Sequence, residues 1–132
     1  MSLYTKCILY PREAIDGIRV SVMSRHTLSD GITPDARITK KLFDFHSQEL
    51  APNPTLIGDY YKRGLSWEEF EKRYKTLLSE PAKAAAVRVL AQQALLGDIT
   101  LLCIEETPEK CHRRILAEQC KIYAPLLKII YK

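Results

Sequence analysis

Apolar positions along the chain change period several times, and the changes divide it into elements. Tyr4–Leu9 and Ile18–Met23 are short runs rich in Ile, Val and Tyr, predicting two strands. Pro11 and the Asp16-Gly17 pair predict the turn region between them. Arg25–Pro34 has no period and carries Ser, Asp, Gly and Pro, so it is expected as a long loop of a functional kind. Ile38–His46 supports two readings: Phe43 and Phe45 alternate as in a strand, while Ala36–Leu42 suits a helix.

The second half reads more regularly. Pro52 and Pro54 precede a short helix over Thr55–Lys62, which Gly64 ends. Ser66 with Glu69 forms a capping-box pattern, and Trp67, Phe70, Tyr74, Leu77 and Leu78 make a stripe at helical spacing. Pro81 opens another helix, striped by Val87, Leu90, Ala91, Ala94 and Leu95 and closed at Gly97-Asp98. Ile99–Cys103 is a continuous apolar run, as in a parallel strand buried on both faces. Pro108 is expected to start the last long helix, which runs to about Tyr123, where Pro125 stops it before a strand over Leu126–Tyr131. The order predicts an α/β fold, a small, mostly parallel sheet of three to five strands with helices packed on it, in a single domain.

Composition narrows the class. At 132 residues and 27% charged residues the chain is an ordinary globular domain able to bury one core without disulfides. The apolar runs are too short for a membrane span, and no secretory signal opens the chain, so a cytoplasmic setting with free thiols at Cys7, Cys103, Cys111 and Cys120 is expected. Met1–Leu3 is set aside as foreign to the domain. The net charge of +4 is interleaved with acidic residues, which makes nucleic acid an unlikely partner. No motif calls for a cofactor or a metal.

Chemistry gathers at one strand-to-helix segment, Ile99–Ala117. Ligands of open α/β sheets collect at the carboxyl ends of strands, where helix N-termini offer unpaired N–H groups. On a helix from Pro108, residues 115, 116, 119, 122 and 123 define a buried stripe, and His112 falls near its centre. His112 should therefore point inward, with Glu105 as its expected partner, Cys111 and Arg113 at its flanks, and Arg114 in solvent pairing with Glu118.

Each residue also has a plain structural reading. His112 could bond a backbone carbonyl, Cys111 could be an inert half-buried thiol rather than a thiolate nucleophile, and Glu105 could merely pair with Arg113. The aromatics Tyr60, Tyr61 and Trp67 read as core more readily than as base-stacking platforms. Three motifs are excluded. A phosphatase loop needs Cys and Arg six positions apart, and a glycine-rich phosphate loop is ruled out by the scatter of the five glycines. Zinc on Cys111 and Cys120 fails because nine helical residues turn through about 180°. Upstream, Arg19 sits at a strand entrance and Arg25-His26 at its exit. If that strand neighbours Ile99–Cys103, Arg25 and His26 would emerge beside Glu105 and His112.

Leu101-Leu102-Cys103-Ile104-Glu105, then Cys111-His112-Arg113 and Leu116-Ala117, resembles the terminal signature of the domain of unknown function 488 family. Asp16-Gly17-Ile18-Arg19-Val20, Glu49-Leu50-Ala51-Pro52 and Trp67-Glu68-Glu69-Phe70 with Tyr74 resemble its other landmarks, particularly in the YeaO-like branch. The resemblance implies a compact α/β domain of a bacterial or archaeal cytoplasm and carries no particular reaction. The chain departs from that branch at Arg25–Gly31, where an Arg-Leu-Trp-Pro-Arg-Gly-like segment is typical: it keeps an Arg and a Gly and lacks the Trp and the second Arg.

Two functions fit these residues. One is an enzyme acting on a small anionic or nucleotide-like substrate, with Arg19, Arg25, His26 and Arg113 binding it, Glu105 and His112 exchanging protons and Cys111 as nucleophile. The other is a non-catalytic module that binds a phosphorylated ligand, a protein partner or nucleic acid. The reaction and the oligomeric state are not written in the sequence.

Overall fold

A computed structural model describes residues 2–28 and 30–132. Ser29, within the expected loop, and Met1 lie outside the described residues. The elements are β1 (Ser2–Cys7), β2 (Ile18–Ser21), β3 (Phe45–His46), α1 (Pro54–Lys62), α2 (Trp67–Leu78), α3 (Pro81–Leu96), β4 (Ile99–Cys103), α4 (His112–Tyr123) and β5 (Lys128–Tyr131). All strands run parallel, in the order β3-β2-β4-β1-β5, so β4 is central and completely buried. This is the α/β architecture that the periodicity predicts, with all five strands in one sheet.

Register divides the sheet into two unlike faces, because alternate residues of a strand point opposite ways. Leu3 pairs with Ile99 and Val20 with Leu101. Leu3, Val20, Ile99 and Leu101 join one apolar cluster with Leu56 of α1, Phe70, Tyr74 and Leu78 of α2, Val87, Leu90, Ala91 and Ala94 of α3, and Ile115 and Leu116 of α4. The alternate positions Lys6, Arg19 and Ser21 are buried too, yet polar.

That polar face is closed by irregular chain. Asp16, in a single 3-10 turn over Ala14–Asp16, accepts from Lys6 at 3.2 Å and from Arg19 Nη1 at 2.7 Å, and neither the Asp16 nor the Arg19 side chain is exposed to solvent. Burial opposes the charge on Asp16, but the Glu13 N–H and the Arg19 and Lys6 side chains outweigh it and hold its carboxyl below the usual range. Next to it, Gly17 has φ of +62°, and a Cβ there would lie 2.1 Å from the Asp98 carbonyl oxygen. The Asp-Gly turn thus brings the start of β2 against the start of β4.

Several boundaries differ from expectation. Ser2 and Leu3, which the sequence reading sets aside, belong to β1: Leu3 is wholly buried, and the Ser2 N–H donates to Asp98. The ambiguous Ile38–His46 yields only the two-residue β3, and nothing in Ala36–Leu42 is an α-helix. Ser66 caps α2 by accepting from the Glu69 N–H. Most consequential, α4 begins at His112, four residues beyond Pro108. Residues 104–111 are therefore an irregular loop between the end of β4 and the start of α4.

Candidate functional site

The late start of α4 sets Cys111 as its N-cap residue and His112 and Arg113 in its first turn, at the carboxyl end of β4, whose last residue is Cys103. The buried face of α4 consists of His112, Arg113, Ile115, Leu116, Ala117 and Cys120, while Ile122 and Tyr123 are exposed. The stripe is rotated from the predicted one, with Ile122 and Tyr123 outside it and Tyr123 lying under Arg88. His112 does point inward.

The partner of His112 is not Glu105. Its Nε2 lies 2.6 Å from the Val22 carbonyl oxygen, and its Nδ1 lies 3.8 Å from Cys103 Sγ. A carbonyl only accepts, so Nε2 carries a proton, and the other ring nitrogen, Nδ1, faces the sulfur. Tyr74 packs edge-on against the ring at 5.7 Å between centroids.

Cys103 and Cys111 form a pair that spacing alone does not show. Cys103 Sγ and Cys111 Sγ lie within 4.8 Å of one another, and the Ile104 and Glu105 backbone N–H groups adjoin the Cys103 sulfur. The Cys111 contact, partly opposed by burial and aided by these N–H groups and the Arg113 charge, lowers the Cys103 thiol below its ordinary range. Cys111 moves the other way: burial, then the neighbouring Cys103, push it well up. Within the pair the lowered thiol is Cys103 and the raised one Cys111, which the sequence offers either as a nucleophile or as an inert half-buried thiol. Cys120 packs in the main core beneath α4, its thiol pushed up by burial to about 12.

Arg113 is fully buried. Its Nη1 donates to the Glu105 carbonyl at 2.7 Å, whereas Nε and Nη2 have no partner among the described residues. Buried guanidinium donors without acceptors are costly, and they are rarely left so without a counter-ion. The Glu105 carboxylate is turned away from this cluster and accepts from the Tyr61 hydroxyl at 2.7 Å, which ties the 104–111 loop to α1.

The upstream residues go elsewhere. The five Arg19 donors are all taken: Nε by Leu42, Nη1 by Pro11 and Asp16, Nη2 by Ile8 and Tyr10. Arg19 therefore fastens irregular chain to β2 and has no donor left for a ligand. Although β2 does neighbour β4, Arg25 is exposed and donates to Gly31. His26 lies 2.7 Å from Ser21 Oγ and stacks on His46 with centroids 4.0 Å apart. Ser21 registers with Leu102, so this group belongs to the sheet face opposite Leu101. Neither residue makes a hydrogen bond or ion pair with Glu105 or His112 among the described residues. Arg114 pairs with Glu118 as the spacing predicts, and also with Glu71 of α2 at 2.6 Å.

What the sequence reading missed is Cys103 as the side chain beside His112 Nδ1. The available signal was position: a cysteine ending a central strand, facing a Cys-His pair that begins the next helix. Two shallow open depressions lie along α1 and α2, around Asp59 and Arg73, and neither is lined by a residue of the cysteine cluster. No helix is long and apolar enough to cross a membrane among the described residues.

A search of curated proteins returns no match, and neither does a search of solved structures. The profile described as the active DUF488-N3 subclade matches residues 3–123, which contain β2, β3, β4, all of β1 but Ser2, and the whole Cys103–Arg113 cluster. The chain belongs to the DUF488 family.

Proposed function

We propose that the junction of β4 and α4 is a thiol-based active site for a small anionic, phosphate- or carboxylate-bearing substrate, nucleotide-like ones included. The observation that carries the reading is Arg113: a wholly buried cation, two of its nitrogens, Nε and Nη2, unpartnered among the described residues, beneath the loop that follows Cys103. An anion placed there would satisfy Nε and Nη2 side by side, the bidentate geometry in which a guanidinium binds oxyanions best. The first N–H groups of α4 add to the same field.

The other roles follow from contact. Cys103 Sγ is the reacting group, and its proton passes to His112 Nδ1, whose ring is held in place by Val22. The Cys111 thiol supports the charge on that sulfur. Glu105 stands outside this set and, with Tyr61, secures the covering loop. Cys103 is only 3% exposed, so the loop must lift for a substrate to enter.

Alkylation selectivity tests the reading, in the presence of a chelator. Iodoacetate carries a carboxylate and iodoacetamide does not. Cys103, followed by peptide mass, should prefer iodoacetate more strongly than Cys7 or Cys120 does, and Arg113→Met should abolish the preference. Equal selectivity at the three cysteines, or a preference that survives Arg113→Met, would overturn it. Binding of phosphate by the Cys103→Ser variant without any thiol selectivity would instead favour a non-catalytic anion-binding module.

A further inference from the structure

The cysteine cluster has a second property that substrate binding does not require. Cys103 Sγ, Cys111 Sγ and a ring nitrogen of His112 all lie within 4.8 Å of one another, and all three residues are buried. In a tetrahedral zinc site, with Zn–S near 2.3 Å and Zn–N near 2.0 Å, neighbouring ligand atoms are separated by about 3.5–3.8 Å. The His112–Cys103 pair is already at 3.8 Å.

The surroundings of His112 match those of a metal ligand. A ligating histidine usually donates its other ring N–H to a carbonyl or carboxylate, which fixes both tautomer and ring direction. Val22 supplies that carbonyl at 2.6 Å and leaves Nδ1 as the free donor toward the two sulfurs. Two thiols and one imidazole are a soft set, suited to zinc-class ions rather than to magnesium or calcium. Three protein ligands leave a fourth position, and the unpartnered Arg113 donors beside the loop favour an anion or a water there.

We infer that Cys103, Cys111 and His112 form a reversible three-ligand site for a soft divalent cation of the zinc class. Binding releases two thiol protons to solvent, and the ion takes two thiolate sulfurs and one imidazole nitrogen. The site goes beyond the reading above, since a bound ion occupies the sulfur which that reading makes the reactant. Metal occupancy and thiol chemistry therefore exclude each other.

The test uses the reduced full chain, freed of metal by a chelator and titrated with cobalt(II). One equivalent should produce an intense thiolate-to-cobalt charge-transfer band and the visible bands of a tetrahedral ion, and one equivalent of zinc should bleach both. Cys111→Ser should weaken cobalt binding by at least about tenfold to hundredfold, because even outer partners of zinc ligands change affinity by that much. Cys120→Ser should leave it unchanged. Should Cys111→Ser fold poorly, the unsubstituted protein still decides the matter: zinc should protect Cys103 and Cys111, but not Cys7, from iodoacetamide. An octahedral spectrum without a charge-transfer band, or equal alkylation with and without zinc, would overturn the inference. The anion preference of Cys103 in chelator is a separate readout, so failure of either idea leaves the other standing.

Discussion

The imidazole of His112 donates Nε2–H to the backbone carbonyl of Val22 at 2.6 Å, joining the first turn of α4 to the residue just beyond β2. This bond spans the central strand and decides which ring nitrogen faces Cys103.

Replacing His112 with Phe keeps the ring volume and leaves the buried Val22 carbonyl without its partner. The expected loss is about 1–3 kcal/mol of stability, the cost of an unsatisfied buried acceptor. Urea denaturation measures it. A variant as stable as the parent would show that the carbonyl finds another donor.

The ionic group on the opposite face should be more sensitive. Asp16→Ala leaves the buried Arg19 without its carboxylate and Lys6 with only that of the exposed Glu13. Breaking a buried pair from one side costs about 3–5 kcal/mol. A large fall in the guanidinium chloride midpoint is expected, whereas an exposed pair such as Arg63–Asp59 should matter far less.

Gly17→Ala tests the close approach of two strands. The positive φ alone costs a side chain about 1–3 kcal/mol. A Cβ 2.1 Å from the Asp98 oxygen must also displace backbone, so the loss should exceed that range. Thermal denaturation would reveal it, with Gly64→Ala as a comparison: its φ is also positive, but nothing lies within 4 Å of the added Cβ.

Burial, with the neighbouring His46 adding to it, pushes His26 down from 6.5 to about 4. The unfolded chain therefore binds this proton near pH 6.5 and the folded chain only near pH 4. Stability contributed by neutral His26 is complete above the higher value and is lost as pH falls through that window. His26→Gln should flatten the fall in stability over the same interval. Parallel curves for parent and variant would contradict the shift.

Tyr61→Phe removes the hydroxyl that holds Glu105 and unties the 104–111 loop from α1. As a largely exposed hydrogen bond it should cost less than about 1 kcal/mol. Alkylation of Cys103 in chelator should nevertheless accelerate severalfold, because the loop lifts more often. An unchanged rate would mean that another contact limits access.

Much of this was legible in the chain. Ser66 and the Phe70, Tyr74, Leu78 stripe define α2 by local capping and period, and the all-apolar Ile99–Cys103 run marks a strand covered on both faces. Those signals lie within one or two turns of backbone, where propensity and burial agree. The site was legible as a segment and not as a constellation. The cluster falls within the segment the sequence singles out, but α4 starts at His112 rather than at Pro108, and His112 finds the Val22 carbonyl in place of Glu105.

The sequence by itself determined the α/β class, the helix stripes, the inward direction of His112 and the family landmarks, because periodicity and spacing are local properties. Tertiary structure decided the rest. Parallel pairing of β2 with β4 brought the Val22 carbonyl to His112, and the late start of α4 set Cys111 against Cys103. The same packing filled every donor of Arg19 and left Nε and Nη2 of Arg113 without acceptors among the described residues. Two arginines of identical chemistry thus became a fastening and a candidate binding group. Which donor finds an acceptor depends on backbone carbonyls distant in the chain, and no local pattern encodes them.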